Sequence, residues 1–173
     1  ARDFLCLGKP EVTIVVLDAT ALERNLNLAL QVMEITPRVV VCVNLIDEAQ
    51  KKNIKIDFAI LEKELGVPVV ATAARQGKGL ELLKESIYNV AFGKVKCRPK
   101  QIVYSPEIEE AVQLLLPLIK KLGLDKHFNP RWIALRFLEG DEKLIAAIDR
   151  YLSLPDREYV REEATGYLYE QLG

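Results

Sequence analysis

The sequence predicts an α/β unit, three parallel strands with flanking helices, followed by a small all-helical unit. Three observations carry this. Residues 1–92 alternate short, wholly apolar β-branched runs with segments of helical periodicity, the pattern of buried parallel strands joined by crossover helices. From residue 105 onward only the helical period remains. And 50% of the 173 residues are hydrophobic, enough to bury a core.

Val12–Leu17 is the first strand, an uninterrupted apolar run closed by Asp18-Ala19-Thr20. Leu22, Leu26, Leu30 and Met33 then recur at helical spacing, predicting a helix over 22–35 that Pro37 ends. Val39–Val43 is the second strand. After a short polar segment, residues 58–65 read as a helix with Gly66 at its end. Val67–Thr72 is the third strand, with Pro68 tolerated near its beginning. Gly77-Lys78-Gly79 turns the chain into a helix over 80–92. Residues 93–104 read as a linker with an extended piece at 102–104. Ser105 is then expected to cap a helix that has Pro106 at its first position, runs to Leu122 and bends at Pro117. Helices over 130–139 and 141–151 follow, and Pro155-Asp156 opens a fourth. The expected division is 1–92, a linker at 93–104, and a helical unit at 105–173.

Composition excludes several classes. Lys+Arg 24 against Asp+Glu 25 gives a net charge of -1, so no basic excess invites nucleic acid. Disorder would need fewer apolar residues and more net charge. No apolar run approaches the roughly 18–20 residues that span a bilayer. Asp3, Lys9 and Glu11 interrupt the N-terminal apolar stretch, against a signal peptide. Cysteines at 6, 42 and 97 form no CxxC pair, and an odd number argues against a disulfide framework, so a reducing, cytoplasmic setting is expected. The sequence starts at Ala1 with an apolar, helix-like stretch and reads as a piece of something longer.

The sharpest motif follows the second strand: Asn44-Leu45-Ile46-Asp47. An Asn-x-x-Asp at the C-terminal end of a parallel strand lies where α/β sheets bind ligands. Asp47 would offer two carboxylate oxygens to two donors on a guanine edge, the ring N–H and the exocyclic amine. A base lacking those donors would leave the carboxylate unpaired and be rejected by roughly four orders of magnitude. Asn44 would meet the purine N7 side and tie neighbouring loops together, and Leu45 would lie against the flat face of the base. The competing reading is a strand-end turn with Asp47 capping a short helix.

A second motif follows the third strand: Ala71-Thr72-Ala73-Ala74-Arg75-Gln76-Gly77-Lys78-Gly79. Here the sequence resembles the translation-factor-like GTPases, which read their base with an Asn-Lys-x-Asp and a Ser-Ala-Lys loop one strand later. The closer resemblance is to the ferrous iron transport protein B family. It rests on Val16 to Leu26, on Asn44 to Ala49 with an apolar residue replacing the usual Lys, on Lys55-Ile56-Asp57, on Thr72 to Gly79, and on Arg131 to Asp141. The resemblance implies a partial Ras-like G domain followed by a helical spacer domain. It implies base contacts from Asn44, Leu45, Asp47, Thr72, Ala73, Ala74 and Arg75, with the Ala74 N–H donating to the guanine carbonyl. Ala73 stands where many relatives have Ser.

The departures bear on chemistry. The sequence contains no Gly-x-x-x-x-Gly-Lys-Ser/Thr, no Asp-x-x-Gly after a strand and no assignable switch threonine, the elements that cradle phosphates, hold magnesium and position water. The expectation is the base-reading half of a GTPase, with no catalytic residue and weak nucleotide affinity. In the intact protein the resemblance implies GTP or GDP with Mg2+, slow hydrolysis regulating ferrous iron uptake, a membrane-embedded part as partner, and a place on the cytoplasmic side of the cell membrane. Two alternatives stay open: an interaction module that self-associates through the unpaired edge of the first strand, and another small GTPase with a helical appendage.

The remaining residues read as structural. Cys42 belongs to a strand core, Cys6 and Cys97 lack metal spacing, and His127 is a surface or packing residue. Trp132 anchors the helical core. Glu107, Glu109 and Glu110 favour a helix N-terminus, and Asp18 shapes a strand-to-helix turn.

Overall fold

The computed structural model describes residue 5 and residues 10–126 and 128–152. Cys6, His127 and the helix expected from Pro155 lie outside the described residues. The chain divides into two compact units, residues 1–102 and 103–173.

In the first unit, β1 (Thr13–Asp18), β2 (Val39–Asn44) and β3 (Val69–Ala71) form a parallel sheet in the order β1-β2-β3. The helices are α1 (Leu22–Ile35), α2 (Ile46–Lys51), α3 (Phe58–Leu65) and α4 (Leu80–Ala91), with a 3-10 turn at Ala19–Ala21. β3 is shorter than the expected 67–72 because Pro68 has no N–H to donate, although its carbonyl still accepts from Val41 N–H at 2.9 Å. α2 forms inside the segment read as polar loop. Six residues are too few to show a period, but Asp47 and Glu48 in its first turn and Lys51 in its last suit the helix dipole.

The sheet is covered unequally. Val15, Leu17, Val41 and Val43 pack against Ala29, Val32 and Met33 of α1 and residues of α2 and α3. On the other face Val90 and Leu83 of α4 cover Val40 and Val70, with Val12 and Cys97 packed beside them. Coverage of both faces, expected from the fully apolar runs, holds for β2 but not for β1. There Ile14 and Val16 are 41% and 57% exposed, because one helix is too narrow to roof all three strands.

The segment after α4 returns to this unit as coil. Arg98 N–H donates to Gly66 O at 2.8 Å and Lys100 N–H to Leu65 O at 3.1 Å. Gly66 closes α3 at φ 70°, and a Cβ there would run into the Arg98 carbonyl. Glycine is therefore required twice over, by dihedral and by contact.

The second unit contains α5 (Pro106–Lys121), a 3-10 turn at Leu124–Lys126, α6 (Pro130–Leu138) and α7 (Glu142–Leu152). α5 continues through Pro117. Val112, Ile119, Leu124, Trp132, Ile133 and Leu135 are buried, with Trp132 in the core as its size suggests. Asn129 caps α6, its Oδ1 accepting from the N–H groups of Arg131 (3.1 Å) and Trp132 (3.4 Å). Ser105 occupies the N-cap position of α5 but makes no side-chain cap. The Ser105 hydroxyl holds the nearby Glu107 carboxyl below its usual range.

Glu109 has a more specific task than complementing a dipole. Its two oxygens take Arg131 Nη1 and Nη2, each at 2.6 Å, and Oε1 also accepts Tyr104 N–H at 2.9 Å. The pair is only 18% (Arg131) and 27% (Glu109) exposed, so this bidentate clamp is partly shielded from solvent. The Arg131 guanidinium, followed by the Tyr104 N–H, pulls the Glu109 carboxyl down to about 2. A depressed carboxyl stabilises the fold fully above its unfolded value of about 4.3 and loses that contribution as pH falls toward the folded one. Urea midpoints of the chain should therefore fall between about pH 4.3 and about pH 2. Glu109→Gln should remove most of that pH dependence while lowering the midpoint at neutral pH.

Candidate functional site

Asn44 ends the central strand and Leu45 turns the chain into α2. Leu45 does so at φ 65°, ψ 32°, a left-handed conformation that costs a side-chain-bearing residue ~1–2 kcal/mol. Such strain persists where surrounding bonds enforce it. Here Ile46 N–H donates to Thr72 O at 3.2 Å and Thr72 N–H to Val43 O at 2.8 Å, which laces the β2–α2 loop to the β3–α4 loop.

Side chains complete the lacing. Thr72 is fully buried, and its hydroxyl donates to Asn44 Oδ1 at 3.0 Å. The Cys42 sulfur lies 3.3 Å from the same hydroxyl. Because that hydroxyl's only proton is committed to Asn44, the thiol is the donor in this contact. Asn44 Oδ1 also accepts Ala74 N–H at 3.1 Å. Both lone pairs of the amide oxygen are thus in use, and the Nδ2 amide is the group Asn44 can offer a ligand.

The following loop closes on itself. Ala73 and Lys78 exchange backbone bonds of 3.1 and 3.3 Å around a 3-10 turn at Ala74–Gln76. Gly79, at φ 78°, starts α4, and a Cβ there would meet the Ala71 carbonyl. From this turn Gln76 Nε2 donates to Asp47 Oδ2 at 2.8 Å.

All seven residues singled out from sequence lie in these two loops, in different positions. Asn44, Leu45 and Asp47 are partly exposed, and Ala74 and Arg75 are exposed. Thr72 and Ala73 are buried, so they shape the wall from behind. The Ala74 N–H, expected to meet a base carbonyl, is bonded to Asn44. Asp47 lies in the first turn of α2 and is not its cap, which is Leu45. Gln76 is the functional-site residue that sequence reading missed. Its available signal was a long primary amide at the end of a short turn beside a motif carboxylate.

Elsewhere, Asp18 Oδ1 accepts Thr20 N–H at 2.7 Å, which holds its carboxyl below the usual range and builds the turn into α1. Cys97 is half-buried, which pushes its thiol up. Among the described residues no group of three or more His, Cys, Asp or Glu is placed to hold a metal ion. None of the described helices is long and apolar enough to cross a membrane.

The lacing depends on Gly79. Gly79→Ala should lower stability by at least about 2 kcal/mol, from left-handed strain and the backbone clash together. In a 15N–1H spectrum its amide shifts should concentrate in residues 44–47 and 71–79. Stability within about 0.5 kcal/mol of the parent would contradict the close approach to Ala71.

Two comparisons along the chain agree. The family model for ferrous iron transport protein B matches residues 1–87, and the model for the FeoB cytosolic helical domain matches residues 104–171. The chain is 38% identical over 138 residues to the Fe(2+) transport protein A/Fe(2+) transporter FeoB fusion protein of Porphyromonas gingivalis, covering 79% of this chain and 16% of that protein. It is 34% identical over 144 residues to the Fe(2+) transporter FeoB of Escherichia coli, covering 82% and 18%. The chain thus spans less than a fifth of the length of these relatives. The crystal structure of the cytosolic domain of T. maritima FeoB in apo form superposes with a TM-score of 0.75 at 32% identity, covering 98% of this chain and 71% of that one. GDP and GMPPNP forms of the same domain match at the same TM-score. The chain belongs to the ferrous iron transport protein B (FeoB) family, whose G-domain region and cytosolic helical domain account for its two units.

Proposed function

We propose that the two laced loops form the guanine-reading wall of a GTP-binding region, in a protein that couples nucleotide state to ferrous iron uptake. The observation that carries this reading is the single network Cys42–Thr72–Asn44–Ala74. It holds Asn44, and with it the first turn of α2 bearing Asp47, against the Ala74–Gln76 turn. In that arrangement Asp47 takes the ring N–H and amine of guanine, Asn44 Nδ2 donates to N7, and Leu45 and Arg75 flank the ring. The relatives crystallised with GDP and GMPPNP support a guanine nucleotide as ligand. Thr72 and Ala73 act as supports.

Phosphate binding, Mg2+ and hydrolysis belong to the intact protein and not to these residues. The sequence given has no phosphate-loop motif. The membrane-embedded part of the same protein is the partner this reading implies, with both units on the cytoplasmic side. The proposed domain division keeps 1–92 as the nucleotide unit, 93–104 as the connection and 105–173 as the helical spacer.

A second reading concerns β1. Thr13 N–H donates toward β2, to Arg38 O at 2.8 Å. By the alternation of a strand, the main-chain groups of Ile14 and Val16 point to the open edge. Their side chains are exposed on the bare face, and no charge or proline interrupts Val12–Leu17. Such an edge is self-complementary: two copies pairing antiparallel across it would satisfy those groups and bury both apolar strips. This supports association with a second copy of the chain.

Base recognition is tested by NMR titration of the chain with GDP, XDP and ADP. GDP should shift residues 44–47 and 72–76 with an affinity of about 1 mM, as expected for base contacts alone, and ADP should not. Asp47→Asn should change the preference from GDP to XDP, since the new amide donates to the additional carbonyl of xanthine. Equal shifts from ADP, or unchanged selectivity in the variant, would refute the assignment. For the edge, light scattering should give a dimer that Val16→Lys converts to monomer; a monodisperse monomer of the parent chain removes the second reading.

A further inference from the structure

We infer that Gln76 is a built-in surrogate for the base. Its carboxamide donates to Asp47, the acceptor that guanine needs, and so sets the affinity of the site by competition. The inference rests on the base-reading assignment above and deepens it.

The geometry is direct. Gln76 Nε2 lies 2.8 Å from Asp47 Oδ2. A primary carboxamide N–H presents to a carboxylate the same kind of donor as the amine on a guanine edge. Guanine recognition by Asp47 uses both oxygens, one for the ring N–H and one for the amine. Gln76 already occupies one of the lone pairs of Oδ2, so the base bond made to that oxygen competes with Gln76 for the same acceptor. The swap is mechanically simple, because the turn is fixed by Gln76 N–H to Ala73 O at 2.9 Å and Gly77 N–H to Ala74 O at 3.1 Å. Only the exposed side chain of Gln76 has to rotate away.

The rest of the wall is satisfied in the same manner. Ala74 N–H, the donor expected for the base carbonyl, already serves Asn44 Oδ1. Binding a base here exchanges hydrogen bonds and adds few, which lowers affinity without disordering the loop. The surrogate also affects selectivity. Adenine brings no donors for Asp47 and does not need to displace Gln76. With Gln76 in place the carboxylate stays paired, so an adenine that enters avoids the full penalty of an unpaired acceptor. Gln76 thus weakens guanine binding and relaxes discrimination against adenine.

The test uses the 15N-labelled chain with guanosine 5′-monophosphate and adenosine 5′-monophosphate as probes. In the parent, the Gln76 side-chain amide resonances should move toward free-amide positions as guanosine monophosphate is added, and Asp47→Asn should shift them without nucleotide. Gln76→Ala should bind guanosine monophosphate about three- to tenfold more tightly, the range of one hydrogen bond to an exposed carboxylate. Its affinity for adenosine monophosphate should be unchanged or lower. Guanosine shifts in both loops with an unmoved Gln76 amide, or with equal or weaker affinity in Gln76→Ala, would overturn the surrogate and leave the base site standing. No guanosine-specific shift in either protein would overturn both.

Discussion

One buried hydroxyl organises the ligand end of the sheet. Thr72 lies fully within the first unit, where an unpaired hydroxyl would cost on the order of 1–3 kcal/mol. It avoids that cost by donating to Asn44 Oδ1 and accepting from the Cys42 thiol. Asn44 is thereby held at the end of the central strand with one lone pair left, which takes Ala74 N–H. Two loops separated in sequence by two helices and a strand become one wall. The strained dihedral of Leu45 and the requirement for glycine at 79 are consequences, since both hold backbone close enough for these bonds to form.

The wall is a set of mutual commitments, and that shapes how it works. Asp47 faces Gln76, Ala74 faces Asn44, and Thr72 faces inward, so few polar groups wait unpaired. Bonds already made within the wall limit what a ligand can gain, because each new bond replaces an existing one.

Each unit has a different way of fixing its parts. The first relies on β2, buried from Val39 to Val43, with three helices on one face and one on the other. The imbalance leaves Ile14 and Val16 bare. The second relies on short helices around Trp132, Ile133 and Leu135, with the Glu109–Arg131 clamp tying the Tyr104 backbone to two helices. Partly shielded bidentate pairs of this type give geometry as much as stability.

Elements whose cause is local can be read directly along the chain. The helices over 22–35 and 58–65 begin and end where periodicity, Pro37 and Gly66 require, and the three strands follow from apolar β-branched runs. Asn44 to Asp47 stand out by residue type and spacing at a strand end, whereas Thr72 to Arg75 are singled out by resemblance to the FeoB family. Contacts between distant residues were not legible in this way. Glu109 answers to Arg131, twenty-two residues away. Ala74 spends its N–H on Asn44, and Gln76 reaches Asp47 across twenty-nine residues. Helix period and turn chemistry report what a residue does to its neighbours in the chain. Which donor meets which acceptor is settled only when folding sets strand ends side by side, and in this protein that is where the candidate site resides.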